Sequence, residues 1–305
     1  MQPVLVLGHT GFLGKAVVKI LDQRGLDFIG ASLSTGFDLR IQDNLDALIK
    51  STNPKTIVNC AAVVGGIEYG RTHGAAMFRD NMLMQLEVLE SASKNGIKVV
   101  NPISNCIYPK KLTQFKEDEL WDGPLDETVL VYGGIRKIGI IGSQAYAKER
   151  ALSVVNLIFP NLYGPGDHLD PVRAHALGGL VYKFVEAKIK KTDVVIWGTG
   201  KPVREWLYVD DAARALISAI DIEVSSDPLN IGTGIGISIS ELASLIATQL
   251  NYSGKINYDL SKADGALTKT MIADKSALVF RDLEFTDFSL GLLTTIEYYQ
   301  KEMQL

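Results

Sequence analysis

Short, wholly apolar runs alternate along the chain with longer segments that are apolar on one side only. The run Val4–Leu7 is followed by an amphipathic stretch from about Phe12 to Arg24, and the succession recurs at 28–31 and 43–51. A strand that is apolar on both faces is buried on both faces, as in a parallel sheet covered by helices. The pattern therefore predicts strand–helix units joined by right-handed crossovers.

This alternation continues to about residue 159 and then changes. The further elements that we predict are a strand at 56–61, a helix at 75–95, a strand at 99–103, a loop at 161–167, a helix at 174–190, a strand at 204–209, a helix at 210–220, a strand at 229–231 and a helix at 238–250. We expect Ser238 or Ser240 to cap the last of these helices, with Glu241 in its first turn. Residues 255–305 are expected to hold a strand and further helical pieces.

Composition and charge narrow the class of protein. The 305 residues are 47% hydrophobic and 22% charged, which excludes a disordered or fibrous chain, and a net charge of −4 argues against a nucleic-acid partner. The two cysteines, Cys60 and Cys106, belong to no zinc-spaced set, so we expect no metal and a cytoplasmic, reducing compartment. We see no signal peptide and no run of the ~20 apolar residues that span a bilayer, so no membrane partner is expected.

A glycine-rich turn follows the first strand and opens the first helix. Gly8, Gly11 and Gly14 have the spacing that permits a tight turn, close approach to a pyrophosphate and close helix–strand packing. The helix N-terminus adds N–H groups and a favourable dipole. We therefore predict a dinucleotide site whose phosphate-binding residues are Gly8, Thr10, Gly11, Phe12, Leu13 and Gly14.

The fold class that follows is α/β: a Rossmann doubly wound parallel sheet with a smaller C-terminal α/β domain. We place the dinucleotide-binding domain at 1–163, with 204–232 returning to it, and the substrate domain at 164–305. No acidic residue stands between Asp27 and Asp38 to bind an NAD ribose, and hydroxyls occupy that segment instead.

This absence favours NADP as the cofactor. No arginine or lysine occupies the same segment, so NAD stays open as an alternative. We expect Asp38 and Leu39 to lie beside the adenine.

Three side chains are suited to reduction. Ser104 follows a predicted buried strand, and Tyr132 precedes Arg136 by four residues, which places both on one face of a helix. A serine, a tyrosine and a helical cation at these places resemble the extended short-chain dehydrogenase/reductases, and within them the GDP-L-fucose synthase family. The blocks that carry the resemblance are GHTGFLG, NCAAVVGGI at 59–67, SNCIYPK at 104–110, NLYGPGD at 161–167, VIWGTGKPVREWLYVDD at 195–211, NIGTG at 230–234 and DGALTK at 264–269.

The resemblance implies an NADP(H)-dependent epimerase/reductase of a GDP-4-keto-6-deoxy sugar. In it, Tyr132 donates a proton to the sugar C4 oxygen, Ser104 hydrogen-bonds that oxygen, and Cys106 and His175 exchange protons at C3 and C5. Protons beside a ketone are acidic, and a thiol and an imidazole can be tuned to move them near neutral pH.

The resemblance also implies binding contacts and an assembly. Ala61, Ala62, Arg136 and Asn161 would contact the cofactor. The residues implied to bind the nucleotide sugar are Asn161, Lys183, Trp197, Arg204 and Asp264. A homodimer built on the helices at 75–95 and 132–150 is expected.

Simpler interpretations of these residues stand beside the functional ones. Cys106 could be an inert buried thiol, His175 a solvated or capping residue and Arg204 an ordinary surface cation. Two further functions stay open: a related reductase or epimerase with a different sugar, and a dinucleotide-binding sensor without turnover.

The chain departs from the family at two single positions and in the segment 128–131, which is more apolar than the family's. Thr10 replaces an arginine, and Arg136 replaces the lysine that follows the tyrosine by four residues. Arginine keeps the charge but does not readily release a proton. Because a lysine is compact and rotatable, the sequence predicts that Arg136→Lys raises turnover.

Overall fold

The computed structural model describes residues 2–170, 173–223, 226–262 and 264–304. The first half of the chain forms β1 (Val4–Leu7), α1 (Phe12–Gln23), β2 (Phe28–Ala31), α2 (Asn44–Thr52), β3 (Thr56–Asn59), α3 (Ile67–Asn95), β4 (Lys98–Ser104), β5 (Gln114–Phe115), α4 (Leu130–Arg150) and β6 (Val154–Phe159).

The second half forms β7 (Asn161–Tyr163), α5 (Ala176–Lys190), β8 (Val194–Trp197), β9 (Val203–Tyr208), α6 (Val209–Ser218), β10 (Leu229–Asn230), β11 (Gly236–Ser238), α7 (Ile239–Leu250), β12 (Ile256–Asp259), β13 (Thr268–Met271), α8 (Asp274–Val279) and α9 (Phe288–Glu302). None of the described helices is long and apolar enough to cross a membrane.

The central sheet has six parallel strands in the order β10-β6-β4-β3-β1-β2. Alternate residues of β1 face opposite layers: Val4 and Val6 pack with α1 and α6, and Leu5 and Leu7 pack with α2 and α3. Helices therefore cover both faces of the sheet, which confirms the predicted doubly wound α/β fold.

A second sheet has the order β11-β9-β13-β5, with β7 paired to β9. Helices α5, α7 and α9 enclose a separate core beside it, and β8 pairs with β12. Part of the segment at 204–232 returns to the central sheet, because α6 packs on α1 and β10 pairs with β6. Strand β9 belongs to the second sheet, and the division into two domains stays a prediction.

Strands β5, β8 and β11 were not predicted, and two predicted elements differ from the structure in type or by several residues. Asn161–Tyr163 is a strand rather than a loop, because it pairs in parallel with residues 206–208 of β9. Helix α3 begins eight residues before the predicted start at 75 and is kinked at His73, which departs from helical dihedral angles. The predicted cap of α7 is confirmed at Ser238, whose hydroxyl accepts from the Glu241 N–H at 3.2 Å in a reciprocal capping box.

Candidate active site

The glycine turn between β1 and α1 has the shape of an anion cradle. Gly8 has φ +73°, and a Cβ there would lie 2.7 Å from the backbone nitrogen of Ala61. A Cβ on Gly14 would overlap the Gly8 carbonyl oxygen. The N–H groups of Phe12, Leu13 and Gly14 open α1, where a helix has no internal acceptors for them. The cradle is open because Gly8 and Gly14 carry no side chains that would fill it, and the N–H groups at the start of α1 face it. A dinucleotide pyrophosphate therefore fits here.

Hydroxyl groups line the end of β2, where the ribose of a bound dinucleotide meets the protein. The Thr10 hydroxyl lies 2.7 Å from that of Ser34, and the Thr10 N–H donates to the Ser32 hydroxyl at 3.2 Å. The Ser32 hydroxyl also lies 2.9 Å from Nδ1 of His9, whose ring packs on Gly30. This end of the site is therefore polar.

The predicted adenine contacts, Asp38 and Leu39, have side chains that are already engaged. Hydrogen bonds from Arg40 hold the pKa of the Asp38 carboxyl down at about 2. The Leu39 side chain is buried in the core between the sheet and α2. The side chains of both residues are therefore held in place by contacts within the protein.

The segment after β4 brings Ser104 and Cys106 together. The Ser104 hydroxyl accepts from the Cys106 N–H at 3.4 Å, and the neighbouring Ile107 is fully buried and anchors the turn. Helix α4 packs closely here, since a Cβ on Gly133 would lie 2.8 Å from the Cys106 carbonyl oxygen. Gly133 directly follows Tyr132, so the part of the α4 backbone that carries Tyr132 lies against the Ser104–Cys106 turn.

Opposing effects act on the Cys106 thiol. Burial raises the pKa of Cys106, while the Ser104 hydroxyl and the positive charges of Arg136 and Lys269 lower it. Burial is the larger effect, so the pKa of Cys106 stays above its ordinary value. At the other thiol the Arg136 charge alone opposes burial, which raises the pKa of Cys60 to about 12. Cys106 is thus the cysteine with more groups that stabilise a thiolate.

Arg136 and Tyr132 share one face of α4, as their spacing predicts. The guanidinium carbon lies 5.1 Å from the centre of the Tyr132 ring. Lys137 turns away and lies 4.7 Å over the Trp121 ring. The cation beside the phenol is therefore Arg136.

His175 stands immediately before α5 and is oriented by a buried carboxylate. The ring Nδ1 of His175 lies 2.9 Å from the carboxylate of Asp167, whose side chain is 1% exposed. The backbone N–H of His175 donates to the same carboxylate at 2.9 Å. A carboxylate at Nδ1 leaves Nε2 available for proton transfer. The ring also lies 5.1 Å from that of Phe12 at the start of α1, which places His175 beside the cradle. Within the described ranges, none of its hydrogen bonds reaches Cys106.

The predicted nucleotide-binding residues gather around the loop after β8. The Lys183 ammonium lies 5.0 Å over the Trp197 ring, and burial lowers the pKa of Lys183. Trp197 is 68% exposed, which leaves ring surface open for stacking. Asp264 accepts hydrogen bonds from the N–H and hydroxyl of Thr199 at 2.8 and 2.6 Å. The Asp264 carboxylate thus fixes the loop that carries Trp197.

Arg204 and Asn161 are held by backbone carbonyl groups. Arg204 donates to the carbonyl oxygens of Val203 and Ala266, both at 2.7 Å, and burial lowers its pKa. Asn161 donates to the Glu205 carbonyl at 3.0 Å. Arg204 is thus a half-buried cation held in place by the protein, whereas the simpler interpretation predicted a solvated surface residue.

Two residues of the site escaped the sequence analysis. Asp167 and Lys269 each stand at the end of a motif block, but a block does not show which side chains meet in space. Lys269 is the register partner of Arg204 in the β9–β13 pair, so both side chains lie on the same side of the sheet. Burial and the Arg204 charge lower the pKa of Lys269, whose own charge reaches Cys106.

A dinucleotide cradle on a doubly wound sheet, with a tyrosine and a cation on one helix face, defines the class of nucleotide-dependent reductases and epimerases. The chain belongs to the NAD dependent epimerase/dehydratase family, whose model matches residues 4–232.

Its relatives within that family carry one recurring name. The chain is 36% identical to "Probable GDP-L-fucose synthase 1" of Oryza sativa, over 89% of this chain and 84% of that protein. It is 34% identical to GDP-L-fucose synthase of Escherichia coli, over 88% of each. A GDP-L-fucose synthetase from Naegleria fowleri bound to NADP superposes with a TM-score of 0.90 at 26% identity, covering 99% of this chain and 95% of that one. These similarities confirm the resemblance expected from the motifs.

Proposed function

We propose that this protein is an NADP(H)-dependent epimerase/reductase of a GDP-4-keto-6-deoxy sugar. The observation that carries the proposal is the close packing of Gly133 on the Cys106 carbonyl, which brings the helix that carries Tyr132 against the Ser104–Cys106 turn. The named activity of the relatives supports the substrate, and the NADP-bound structure supports the cofactor.

The residues around Tyr132 suit the reduction step. The cradle formed by Gly8, Gly11 and Gly14 would hold NADPH, which would supply the hydride that the C4 carbon of the keto sugar receives. Tyr132 donates the proton that the C4 oxygen needs, and Ser104 hydrogen-bonds that oxygen. Hydride and proton together convert the ketone to an alcohol, so atoms and charge balance.

Cys106 and His175 suit the epimerisation steps at C3 and C5. The ketone acidifies the neighbouring C–H groups, so a base can remove a proton on one face and an acid can return one on the other. Asp167 orients the His175 ring, and nearby cations favour the Cys106 thiolate. Arg204, Lys183 and Trp197 would hold the nucleotide, with the planar fork of Arg204 suited to pyrophosphate.

The exposed faces of α3 and α4 support a homodimer. Apolar side chains that these two helices expose are Phe78, Leu83, Leu86, Ile138 and Ile141. An apolar face of this kind on adjacent helices is typical of a contact between copies.

The experiment that tests the function mixes the purified protein with GDP-4-keto-6-deoxymannose and either NADPH or NADH. We expect loss of the nicotinamide absorbance and a reduced sugar nucleotide. Tyr132→Phe should lower the rate by about 10²- to 10⁴-fold while NADP binding persists. Tyr146→Phe removes a phenol from the far end of the same helix and serves as the control.

The outcomes of this experiment separate the rival functions. Turnover of a different keto-sugar nucleotide would make the protein a related reductase. Tight cofactor binding without oxidation on any keto-sugar nucleotide would contradict the enzyme assignment and favour a sensor.

A further inference from the structure

Three asparagines stand side by side across the centre of the main sheet. Asn59 ends β3, Asn101 lies in β4, and Asn156 lies opposite Asn101 in the β4–β6 register. Their amides form a chain: Asn59 donates to Asn101 at 3.3 Å, Asn101 to Asn156 at 3.3 Å, and Asn156 to the Ser143 hydroxyl at 2.9 Å. We call Asn59, Asn101 and Asn156 the asparagine ladder.

The ladder and Arg136 line the same small cavity. Its volume is about 20 Å³, and Gln85 of α3 and Gly139 of α4 also line it. A Cβ on Gly139 would overlap the Gln85 amide, so the glycine gives Gln85 access to this place. Polar groups from α3, α4, β3, β4 and β6 therefore converge around one end of Arg136.

A buried donor and a buried acceptor lack protein partners at this cavity. Arg136 Nε and Asn59 Oδ1 are both buried, and the described residues offer neither one a hydrogen bond. An unsatisfied buried polar atom destabilises the folded protein, so such atoms normally have a partner. A cavity needs about 10–15 Å³ to hold one water, which this cavity exceeds.

We propose that one buried water accepts from Arg136 Nε and donates to Asn59 Oδ1, which makes Asn59 a positioning residue for the guanidinium beside Tyr132. The ladder behind Asn59 fixes the acceptor, and the water carries that constraint to Arg136. The proposal rests on the proposed function only for its effect on turnover, since the water and the cofactor affinity can be measured without a sugar substrate.

The first experiment measures NADP binding by calorimetry in a double-mutant cycle. Asn59→Leu should weaken binding by roughly 2- to 12-fold, the range of one lost hydrogen bond. In an Arg136→Met background, Asn59→Leu should add nothing, because its target is gone. Equal weakening in both backgrounds would reduce Asn59 to a structural role and overturn the proposal.

Thr56→Val is the matched control for Asn59→Leu. Thr56 lies on the same strand, is 1% exposed and also has a side-chain oxygen without a partner among the described residues. It does not line the cavity. We expect Thr56→Val to leave NADP binding unchanged in both backgrounds, and weakening equal to that of Asn59→Leu would overturn the proposal.

A crystal structure of the wild type tests the water directly. We expect a solvent peak within hydrogen-bond distance of both Arg136 Nε and Asn59 Oδ1, and its loss in Asn59→Leu. Density that shows other buried waters but none here would overturn the proposal. A hydrogen bond from Arg136 Nε to a protein oxygen would overturn it as well, and neither result depends on catalysis.

Discussion

At the residue scale, a guanidinium and an ammonium would fill the position of Arg136 differently. The sequence predicts faster turnover for Arg136→Lys, because lysine is compact. The structure gives a reason to expect the opposite result: Arg136 reaches from the Tyr132 ring to the cavity at Asn59, and residues of α3 and α4 also line that cavity. A lysine at this position would lose either the contact with the Tyr132 ring or the contact at the cavity.

We therefore expect Arg136→Lys to lower the rate of reduction by roughly 2- to 12-fold, the cost of one hydrogen bond. Steady-state kinetics with NADPH and the keto sugar measure this change. A lysine variant faster than the wild type would show that compactness matters more than the two contacts.

The charge of Lys269 gives a second residue-scale prediction. That charge lowers the pKa of Cys106 against the effect of burial, so Lys269→Met should raise the pKa further. Less thiolate is then present at a given pH below that pKa. We expect the Cys106-dependent proton exchange to slow at neutral pH and its rise to move to higher pH.

Deuterium incorporation into the sugar, followed across pH, measures this exchange. Lys301→Met removes an exposed lysine of α9 as the control and should leave the profile unchanged. An unchanged profile in Lys269→Met as well would remove Lys269 from the site.

At the element scale, the sequence predicts which segments are buried better than it predicts their partners. The run Val4–Leu7 is apolar on both faces and the stretch that follows it is apolar on one face, so the residues of each element indicate how that element is buried. Both elements lie where the pattern predicts them. The strand at 161–163 was missed because its partner, β9, lies far along the chain.

The same limit explains the candidate site. Tyr132 and Arg136 were placed together correctly, because helical spacing alone brings them to one face. A loop brings Asp167 to His175, and strand register brings Lys269 beside Arg204. Neither a loop nor strand register leaves a periodic pattern in the sequence. The motif blocks gave a role to one member of each pair and none to the other.

Glu205 shows how one side chain joins several elements. Its fully buried carboxylate accepts from the N–H groups of Thr233, Gly234 and Met271 at 2.7, 3.0 and 2.6 Å. Glu205→Ala leaves these three groups without their acceptor, at roughly 1–3 kcal/mol each, so we expect the free energy of unfolding to fall by about 3 kcal/mol or more.

Denaturant unfolding measures the loss. Glu241→Ala, which removes one half of the exposed capping box of α7, should cost only about 1 kcal/mol. Equal losses in the two variants would mean that Glu205 does not join the second sheet to the loop at 232–234.

At the scale of the whole molecule, the proposed homodimer predicts that one charge added on the exposed face of α4 weakens the association of the two copies. Ile141 is 52% exposed on α4, and in a symmetric contact each copy would bury its own substituted side chain. Ile141→Glu should therefore weaken association by on the order of 3–5 kcal/mol or more.

Light scattering after gel filtration should show a dimer for the wild type and a monomer for Ile141→Glu. Leu278→Glu places the same charge at a side chain that is 73% exposed on α8, and we expect it to stay dimeric. A monomeric wild type would contradict the proposed assembly.

The two chemical steps leave separate isotopic marks on one product, and these marks test the proposed function most directly. The wild type, supplied in heavy water with unlabelled NADPH and GDP-4-keto-6-deoxymannose, should place deuterium at C3 and C5 and protium from the hydride at C4. Magnetic resonance and mass spectrometry of the product read all three positions. Reduction at C4 with no deuterium at C3 or C5 would show a simple reductase and contradict the epimerase role of Cys106 and His175.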